Sequence, residues 1–432
     1  MKYLSEQIAV LPQLLKWLPL ACAVAALAGS ASALFLFALD WATRLREHTP
    51  WLIAALPLAG FTVGWIYLRI GRSVEAGNNL LIDEIHDPQK IIPLRMAPLV
   101  LGATVVSHVF GASVGREGTA VQMGGALADQ LTRLCRLGDD DRRILLMAGI
   151  SAGFASIFGT PLAGAIFGLE VLAIGRLRYD AILPCLIAAV AADQVGLLWG
   201  ARHAAYLIPF VPRPGVAVLL AVGVAGVLFG LAGKLFADTT HALSALFKRH
   251  VAYAPLRPAL GGMLIAAASV VVGDRYIGLG IPTLGAAFLH PLAWYDSPAK
   301  LAFTVTSLAS GFKGGEVTPL FFIGATLGNA LAPLLHLPLP LLAGLGFVAV
   351  FAGASNTPVA STLMAMELFG ADVGVYAAIA CVVSYLLSGH TGIYRSQRVG
   401  RGKHGRLPAG LRLGEISAWR RTRDARATQV HH

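Results

Sequence analysis

GREGTA at residues 115–120 and GGEVTP at residues 314–319 each place a glutamate among small residues, directly before an apolar run. Such a run predicts a helix, so each carboxylate lies at a predicted helix N-terminus. Backbone N–H groups and the helix dipole make that position a binding site for anions. A glutamate at membrane depth is also costly and by default functional. The arrangement recurs 199 residues later, which favours transport of a small anion.

The composition predicts a polytopic helical membrane protein. Of the 432 residues, 56% are hydrophobic and 13% are charged, whereas soluble proteins carry about 25% charged residues. Several apolar stretches approach the ~20 residues needed to cross a bilayer. They lie near residues 18–39, 51–70, 91–107, 180–199, 215–236, 257–273, 337–353 and 374–388. We therefore expect an all-α fold that lies in a lipid bilayer.

The positive charge is concentrated in the C-terminal tail, which argues against a nucleic-acid partner. Of the net charge of +11, the tail at 395–432 supplies most, because it has ten Lys or Arg residues against Glu415 and Asp424. A second basic segment contains Arg133, Arg136, Arg142 and Arg143. Lys and Arg favour the cytoplasmic side of a membrane, here the inner (plasma) membrane of a bacterium. We expect 395–432 to be a disordered cytoplasmic tail and 1–17 a cytoplasmic amphipathic lead-in helix.

No motif predicts an enzyme, a cofactor or a metal site. The scattered cysteines form no CxxC pair, which argues against a zinc site and a disulfide framework. They are Cys22, Cys135, Cys185 and Cys381. The sequence also lacks the HExxH pair of metalloproteases and the GxxxxGK[ST] loop of nucleotide-driven pumps.

Three matched segments indicate an internal duplication. The pairs are GREGT 115–119 with GGEVT 314–318, TPLA 160–163 with TPVA 357–360, and AGNN 76–79 with IGLG 277–280. Their offsets of 199, 197 and 201 residues are nearly constant. Glu170 and Glu367 each follow nine residues after the proline of the TP segment. We expect a first repeat at 18–212 and a second at 213–394, as in secondary transporters with broken helices.

These segments resemble the CLC family of anion channels and transporters over roughly residues 71–394. GREGTAVQMGG resembles the family's gating motif, GLGIP at 278–282 and GFKGGEVTP at 311–319 resemble its other helix starts, and Tyr394 lies where its pore tyrosine would. The resemblance implies two inverted repeats of tilted and broken helices, about 18 per subunit. It also implies a homodimer with one pore per subunit. Apolar runs 180–199, 215–236 and 374–388 are candidates for its interface.

Three departures resemble the fluoride-exporting branch of this family, whose members exchange fluoride for protons. Most members carry GSGIP where this chain has GNNLL at 77–81, and an apolar residue where it has Glu316. Chloride exchangers keep a second, proton-relaying glutamate where this chain has Val171, next to Glu170. The alternative is a chloride or nitrate exchanger, or a passive anion channel.

Glu117 is the candidate gate. While charged, its carboxylate imitates an anion at a helix N-terminus and blocks the path; once protonated, it loses that attraction and can move away. Desolvation and a helix N-terminus act on its proton affinity in opposite directions. Glu117 would then serve as both gate and proton carrier. A structural pair with Arg116 is the alternative.

Asn78 and Glu316 are the candidates for fluoride recognition. Fluoride is small and strongly hydrated, so removing its water demands direct donors such as the Asn78 amide. A charged Glu316 would repel the anion, so it must be protonated, hydrogen-bonded to Thr318 or backbone N–H groups, or turned away. If protonated, it could donate a hydrogen bond to fluoride and accompany it. The alternatives are a turn or cap role for Asn78 and a helix-cap role for Glu316.

The predicted anion-binding set is completed by residues around these three side chains. It comprises Gly77, Gly115, Arg116, Gly118, Val317, Thr318 and Tyr394. Tyr394 offers a phenolic donor, although a tyrosine near a membrane end also serves as an interfacial anchor. Glu170 and Glu367 are expected to pack helices or line the cytoplasmic mouth.

Overall fold

The fold is all-α, as predicted, with one two-residue strand pair. The structure, a computed structural model, describes residues 11–405 and 407–430. The helices are α1 Leu11–His48, α2 Leu56–Ile66, α3 Asn78–His86, α4 Met96–Val109, α5 Glu117–Leu134, α6 Asp139–Phe158, α7 Pro161–Glu170, α8 Ile182–Leu198, α9 Val216–His250, α10 Leu256–Val272, α11 Ile281–Ala286, α12 Asp296–Ser310, α13 Val317–Leu335, α14 Leu339–Ser355, α15 Pro358–Phe369, α16 Gly374–Leu387 and α17 Ile416–Val430. Strand β1 (Ala173–Ile174) pairs in parallel with β2 (Arg398–Val399).

Helix length and hydropathy confirm a membrane protein. In the described residues, five helical segments are long and apolar enough to cross a bilayer: Leu11–His48, Pro50–His86, Tyr179–Leu198, Val216–His250 and Val317–Leu335. Other apolar helices are shorter, such as α7 with ten residues. At 1.5 Å per residue such a helix spans only about 15 Å. Such short helices therefore begin or end within the ~30 Å hydrocarbon core.

The two halves of the chain contact each other through matched elements. Gly115 and Gly315 form an isolated antiparallel bridge, in which each N–H donates to the other's carbonyl at 2.5 and 2.7 Å. Glu170, at the end of α7, accepts the N–H groups of Val359 and Ala360 at the start of α15. This antiparallel bridge joins the two matched Gly-x-Glu-x-Thr segments, which supports inverted repeats.

The contact of Glu170 has a reciprocal partner. Glu367, near the end of α15, accepts the N–H groups of Leu162 and Ala163 at the start of α7, at 2.8 and 2.9 Å. The first N–H groups of a helix have no partner within it. Each glutamate therefore caps the helix equivalent to its own, which agrees with the helix-packing role expected for both.

Glycines let the helices of each repeat approach closely. A Cβ added to Gly124 of α5 would lie 2.3 Å from the carbonyl oxygen of Gly149 in α6, and one added to Gly324 of α13 would lie 2.0 Å from that of Gly346 in α14. Real Cβ atoms do not come so close to a carbonyl oxygen. The glycine-rich composition is thus explained by backbone contact between helices.

Both termini differ from the prediction where the structure describes them. Residues 11–17 begin the 38-residue helix α1 and do not form a separate lead-in helix; residues 1–10 lie outside the described part. Pro12 lies in the first turn of α1, where proline is tolerated. The expected disorder of 395–432 also needs correction, because this segment supplies β2 and α17. Backbone hydrogen bonds between β1 and β2 order this part of the tail. The basic composition of the tail gave no indication of this pairing.

Arg142 is not a free charge of a cytoplasmic loop. It lies on α6, where its guanidinium donates to Asp129 through Nε and Nη2, both at 2.8 Å, and to Glu84 through Nη1 at 3.0 Å. All three side chains are buried. Glu84 belongs to α3 and Asp129 to α5, so this cluster joins three helices near the starts of α4 and α6.

Candidate functional site

Three helix N-termini meet at one point, those of α3, α5 and α13. A Cβ added to Gly118 in the first turn of α5 would lie 3.1 Å from the Asn78 amide nitrogen, 3.1 Å from Gly315 Cα and 3.5 Å from a carboxyl oxygen of Glu316. Asn78 begins α3, and Glu316 directly precedes α13. Only glycine at position 118 leaves room for these groups to converge.

The Glu117 carboxylate reaches across the two repeats to the start of α13. It accepts the backbone N–H of Thr318 at 3.0 Å and also the Thr318 hydroxyl. The Arg116 N–H donates to the same carboxylate at 3.1 Å, and Arg116 Nε lies 3.4 Å from Oε1. Glu117 is fully buried. The carboxylate thus occupies an anion position at a helix N-terminus while also pairing with Arg116.

Thr318 does not orient Glu316. The Thr318 hydroxyl donates to Glu117 instead. The Glu117 side chain belongs to the other repeat and reaches the first turn of α13. Glu316 is only partly buried, whereas Val317 next to it is buried as the first residue of α13. Glu316 therefore lies beside the buried Glu117 without the Thr318 hydroxyl as its partner.

The Asn78 side chain is buried, and its amide oxygen has no hydrogen-bond partner among the described residues. Its neighbour Asn79 behaves differently, because its side-chain oxygen accepts the Ser396 N–H at 2.9 Å. Gly77 precedes α3 with a φ of 58°, and a Cβ there would lie 3.2 Å from the Gln122 side chain. Asn79 is therefore a structural residue, while Asn78 faces the convergence point.

Two further residues lie near this point, and only one of them, Tyr394, was predicted from the sequence. Tyr394 is buried, close enough to Glu117 and Glu316 to interact electrostatically with both. Its burial does not fit an interfacial anchor. Gln122 was missed; a lone amide within the small and apolar residues that follow GREGTA was the signal that could have found it.

Two cavities share Ile281 in their linings, and the smaller one adjoins Glu117. The larger, of about 290 Å³, is lined by residues that include Arg46, Arg275 and Ile281. The smaller, of about 20 Å³, is also lined by Ile281 and extends to Arg116 and Glu117.

Known proteins match nearly the whole chain. The family model described as voltage gated chloride channel matches residues 59–389. The chloride/fluoride channel protein of Pseudomonas syringae pv. tomato is 64% identical over 419 residues, which cover 95% of this chain and 93% of that protein.

Solved structures agree. A CLC-type fluoride/proton antiporter is 36% identical with a TM-score of 0.87, covering 89% of this chain and 98% of that one. A slow cyanobacterial Cl⁻/H⁺ antiporter, 21% identical with a TM-score of 0.75 over 86% of this chain and 94% of that one, shares the fold. Since the family model matches most of the chain and a relative is 64% identical, the protein belongs to the CLC family of voltage gated chloride channels and related anion transporters, and it resembles the fluoride-exporting branch of that family.

Proposed function

We propose that this protein exports fluoride from the cytoplasm in exchange for protons, with Glu117 as gate and proton carrier. The observation that supports this most is the Glu117 carboxylate at the N-terminus of α13, held by the Thr318 N–H and hydroxyl. Those donors could hold an anion equally well. Similarity to a fluoride/proton antiporter and to a chloride/fluoride channel protein adds support.

The exchange follows from competition for one set of donors. Charged Glu117 satisfies the Thr318 donors and closes the path. Protonation removes the charge that these donors attract, so the side chain leaves and fluoride takes its place. One proton is thus carried for each movement of the gate, and fluoride cannot pass Thr318 while the carboxylate remains there.

Fluoride selectivity is assigned to Asn78 and Glu316. Their polar atoms approach the same glycine, Gly118, at the convergence of the helix N-termini. The Asn78 amide offers N–H donors that a strongly hydrated ion needs. A protonated Glu316 adds an O–H donor beside the path, whereas its charged form would repel the anion.

The test of this function is ion flux from liposomes that contain the purified protein. Fluoride efflux should drive proton movement in the opposite sense, measured with a fluoride electrode and a pH indicator. Parallel measurements with chloride and nitrate distinguish the alternative members of the family. Fluoride movement without protons would contradict exchange, and faster chloride than fluoride movement would contradict the assigned selectivity.

Asn78→Ser is expected to reduce the preference for fluoride over chloride, because a hydroxyl supplies one donor where the amide supplies two. Asn78→Leu, which supplies none, should impair fluoride transport itself. Fluoride and chloride fluxes of each variant measure the change. Asn79→Ser is the matched control, since Asn79 bonds the Ser396 N–H. If both Asn78 variants keep the wild-type preference for fluoride over chloride, Asn78 is a turn residue and does not bind the ion.

Glu316→Ala is expected to slow fluoride export and relax selectivity. Losing a hydrogen bond to a charged group costs about 1.5–3 kcal/mol. At about 1.4 kcal/mol per tenfold, this corresponds to roughly a ten- to hundredfold change in flux. Thr318→Val should act through Glu117 instead; because Glu117 also interacts electrostatically with Glu316, the effects of the two substitutions should not simply add. Normal, fluoride-selective and proton-coupled flux in Glu316→Ala would reduce Glu316 to a helix cap.

The proposed setting is the inner membrane of a bacterium, with the basic tail in the cytoplasm and two identical subunits, each with its own pore. Helices α8, α9 and α16 contain the apolar runs assigned to the dimer interface. Each keeps large apolar side chains on the surface, among them Leu186, Leu228 and Val382. Cross-linking between such positions in native membranes tests this arrangement.

A further inference from the structure

A small cavity adjoins Glu117. Besides Glu117, the polar lining includes Arg116, His203, Tyr206 and Thr318. Its volume of about 20 Å³ exceeds the ~10–15 Å³ that one water needs. Bulk water does not fit there. A proton that reaches Glu117 by this route must therefore pass groups of the lining or a single water.

From the length of the preceding helix, we infer that His203 lies on the side of the membrane opposite the basic tail. It belongs to residues 199–215, which connect α8 to α9. Helix α8 begins near β1, which pairs with β2 of the tail, and its 17 residues run about 26 Å away from there. A Cβ on Gly159 would lie 2.5 Å from the His203 ring, so the end of α6 holds the ring in place.

The His203 ring is half-buried, and its two nitrogen atoms lack a normal hydrogen bond. Neither ring nitrogen has a partner at hydrogen-bond distance among the described residues, although the Ile157 carbonyl is near enough to favour the charged ring. A carboxylate beside the ring is that of Asp193 of α8, with Oδ1 3.9 Å from Nε2. Asp193 Oδ1 also lacks a partner, while Oδ2 accepts the Gln194 amide at 3.3 Å.

The charged groups around His203 act on it in opposite directions. Arg116 at the start of α5 disfavours the charged ring, as does burial, and both lower the pKa of the His203 imidazole. Asp193 favours the charged ring; Glu367 of α15 in turn lies near Asp193. Glu117 and Tyr206 complete the titratable groups of the cavity. The ring is therefore neutral at neutral pH and can accept a proton.

We propose that His203 relays protons between the outer solution and Glu117, and that Asp193 positions its ring. A hydronium ion gives a proton to one ring nitrogen and becomes water. The imidazolium then gives a proton to the Glu117 carboxylate, directly or through the one water of the cavity, and returns to the neutral ring. This relay rests on the proposed fluoride/proton exchange, for which it supplies the outer proton step.

The test is His203→Gln in liposomes with the outer solution weakly buffered. Proton donors that are positioned by a protein contribute about 10²–10⁴-fold to rates. Because water can still deliver some protons directly to Glu117, we expect exchange in His203→Gln to slow about tenfold or more. Millimolar imidazole outside should restore the rate, because a mobile proton carrier replaces the ring. The number of protons moved per fluoride should stay unchanged. His290→Gln, at an exposed histidine, should exchange at the wild-type rate.

Asp193→Asn provides an independent measurement. Loss of the carboxylate removes a charge that favours the imidazolium, so the dependence of rate on outer pH should move to lower pH. A wild-type rate in His203→Gln, or a slow rate that imidazole does not restore, would overturn the relay while leaving exchange intact. If His203→Gln does not assemble, an unshifted pH profile in Asp193→Asn overturns it. Wild-type protein that moves fluoride without protons would overturn both proposals.

Discussion

Glu117→Gln is expected to abolish proton movement in the liposome assay. Glutamine has nearly the shape of glutamate and an oxygen that can accept the Thr318 N–H, but it cannot take up or release a proton at any working pH. The proton carrier is therefore lost while the geometry at α13 is kept. Fluoride flux should become independent of the proton gradient, or stop if the neutral amide remains in the path.

Glu170→Gln is the matched control for this experiment. Glu170 is also a buried carboxylate that accepts two backbone N–H groups from the other repeat, yet the proposal gives it no part in transport. Its variant should retain coupled exchange. A Glu117→Gln protein that still drives protons uphill on a fluoride gradient would remove Glu117 from the proton path.

Arg142→Met is expected to lower the free energy of unfolding by about 3–5 kcal/mol, more than any other variant proposed for this protein. Methionine fills similar space but leaves Asp129 and Glu84 buried without their cation. When one partner of a buried ion pair is removed, the remaining charge stays buried and nothing compensates for its lost hydration. Reversible unfolding in mixed detergent micelles gives the free energy of unfolding for each variant.

Arg143→Met separates this effect from the loss of positive charge. Arg143 is the next residue, and its partner Asp140 is almost fully exposed. Exposed pairs contribute only about 0.2–1 kcal/mol. If the two variants unfold with the same free energy, the buried cluster does not hold α3, α5 and α6 together.

The sequence allowed the fold class and the helix starts to be predicted, because those depend on local signals. A Gly-x-Glu-x-Thr segment before an apolar run placed the starts of α5 and α13 within two residues of where they lie. The contact of Glu117 with Thr318 could not be predicted, since the two residues are 201 apart. Which donor a carboxylate reaches depends on how the repeats pack. Local spacing therefore assigned the Thr318 hydroxyl to Glu316 instead.

The sequence predicted neither the burial of Arg142 nor the ordered structure of the tail, because both depend on contacts with residues distant in the chain. A basic residue next to Asp139–Asp141 is expected to be solvated, whereas Arg142 is buried because it pairs with Asp129 and with the distant Glu84. Likewise, β2 exists because β1 offers it a partner more than two hundred residues earlier. His203 carried no signal at all, because its significance lies in the cavity it shares with Glu117.

The reciprocal caps formed by Glu170 and Glu367 bear on how such a chain arose. Each contact joins a glutamate nine residues after a Thr-Pro proline to the helix start of the other copy. A single half-length chain with one Thr-Pro helix start and one such glutamate could form both contacts at a self-complementary dimer interface. Its copies would have to insert in opposite directions, which demands little Lys and Arg asymmetry. Fusion of the two genes would then free each copy to acquire its own charges, including the basic tail that now belongs to only one of them.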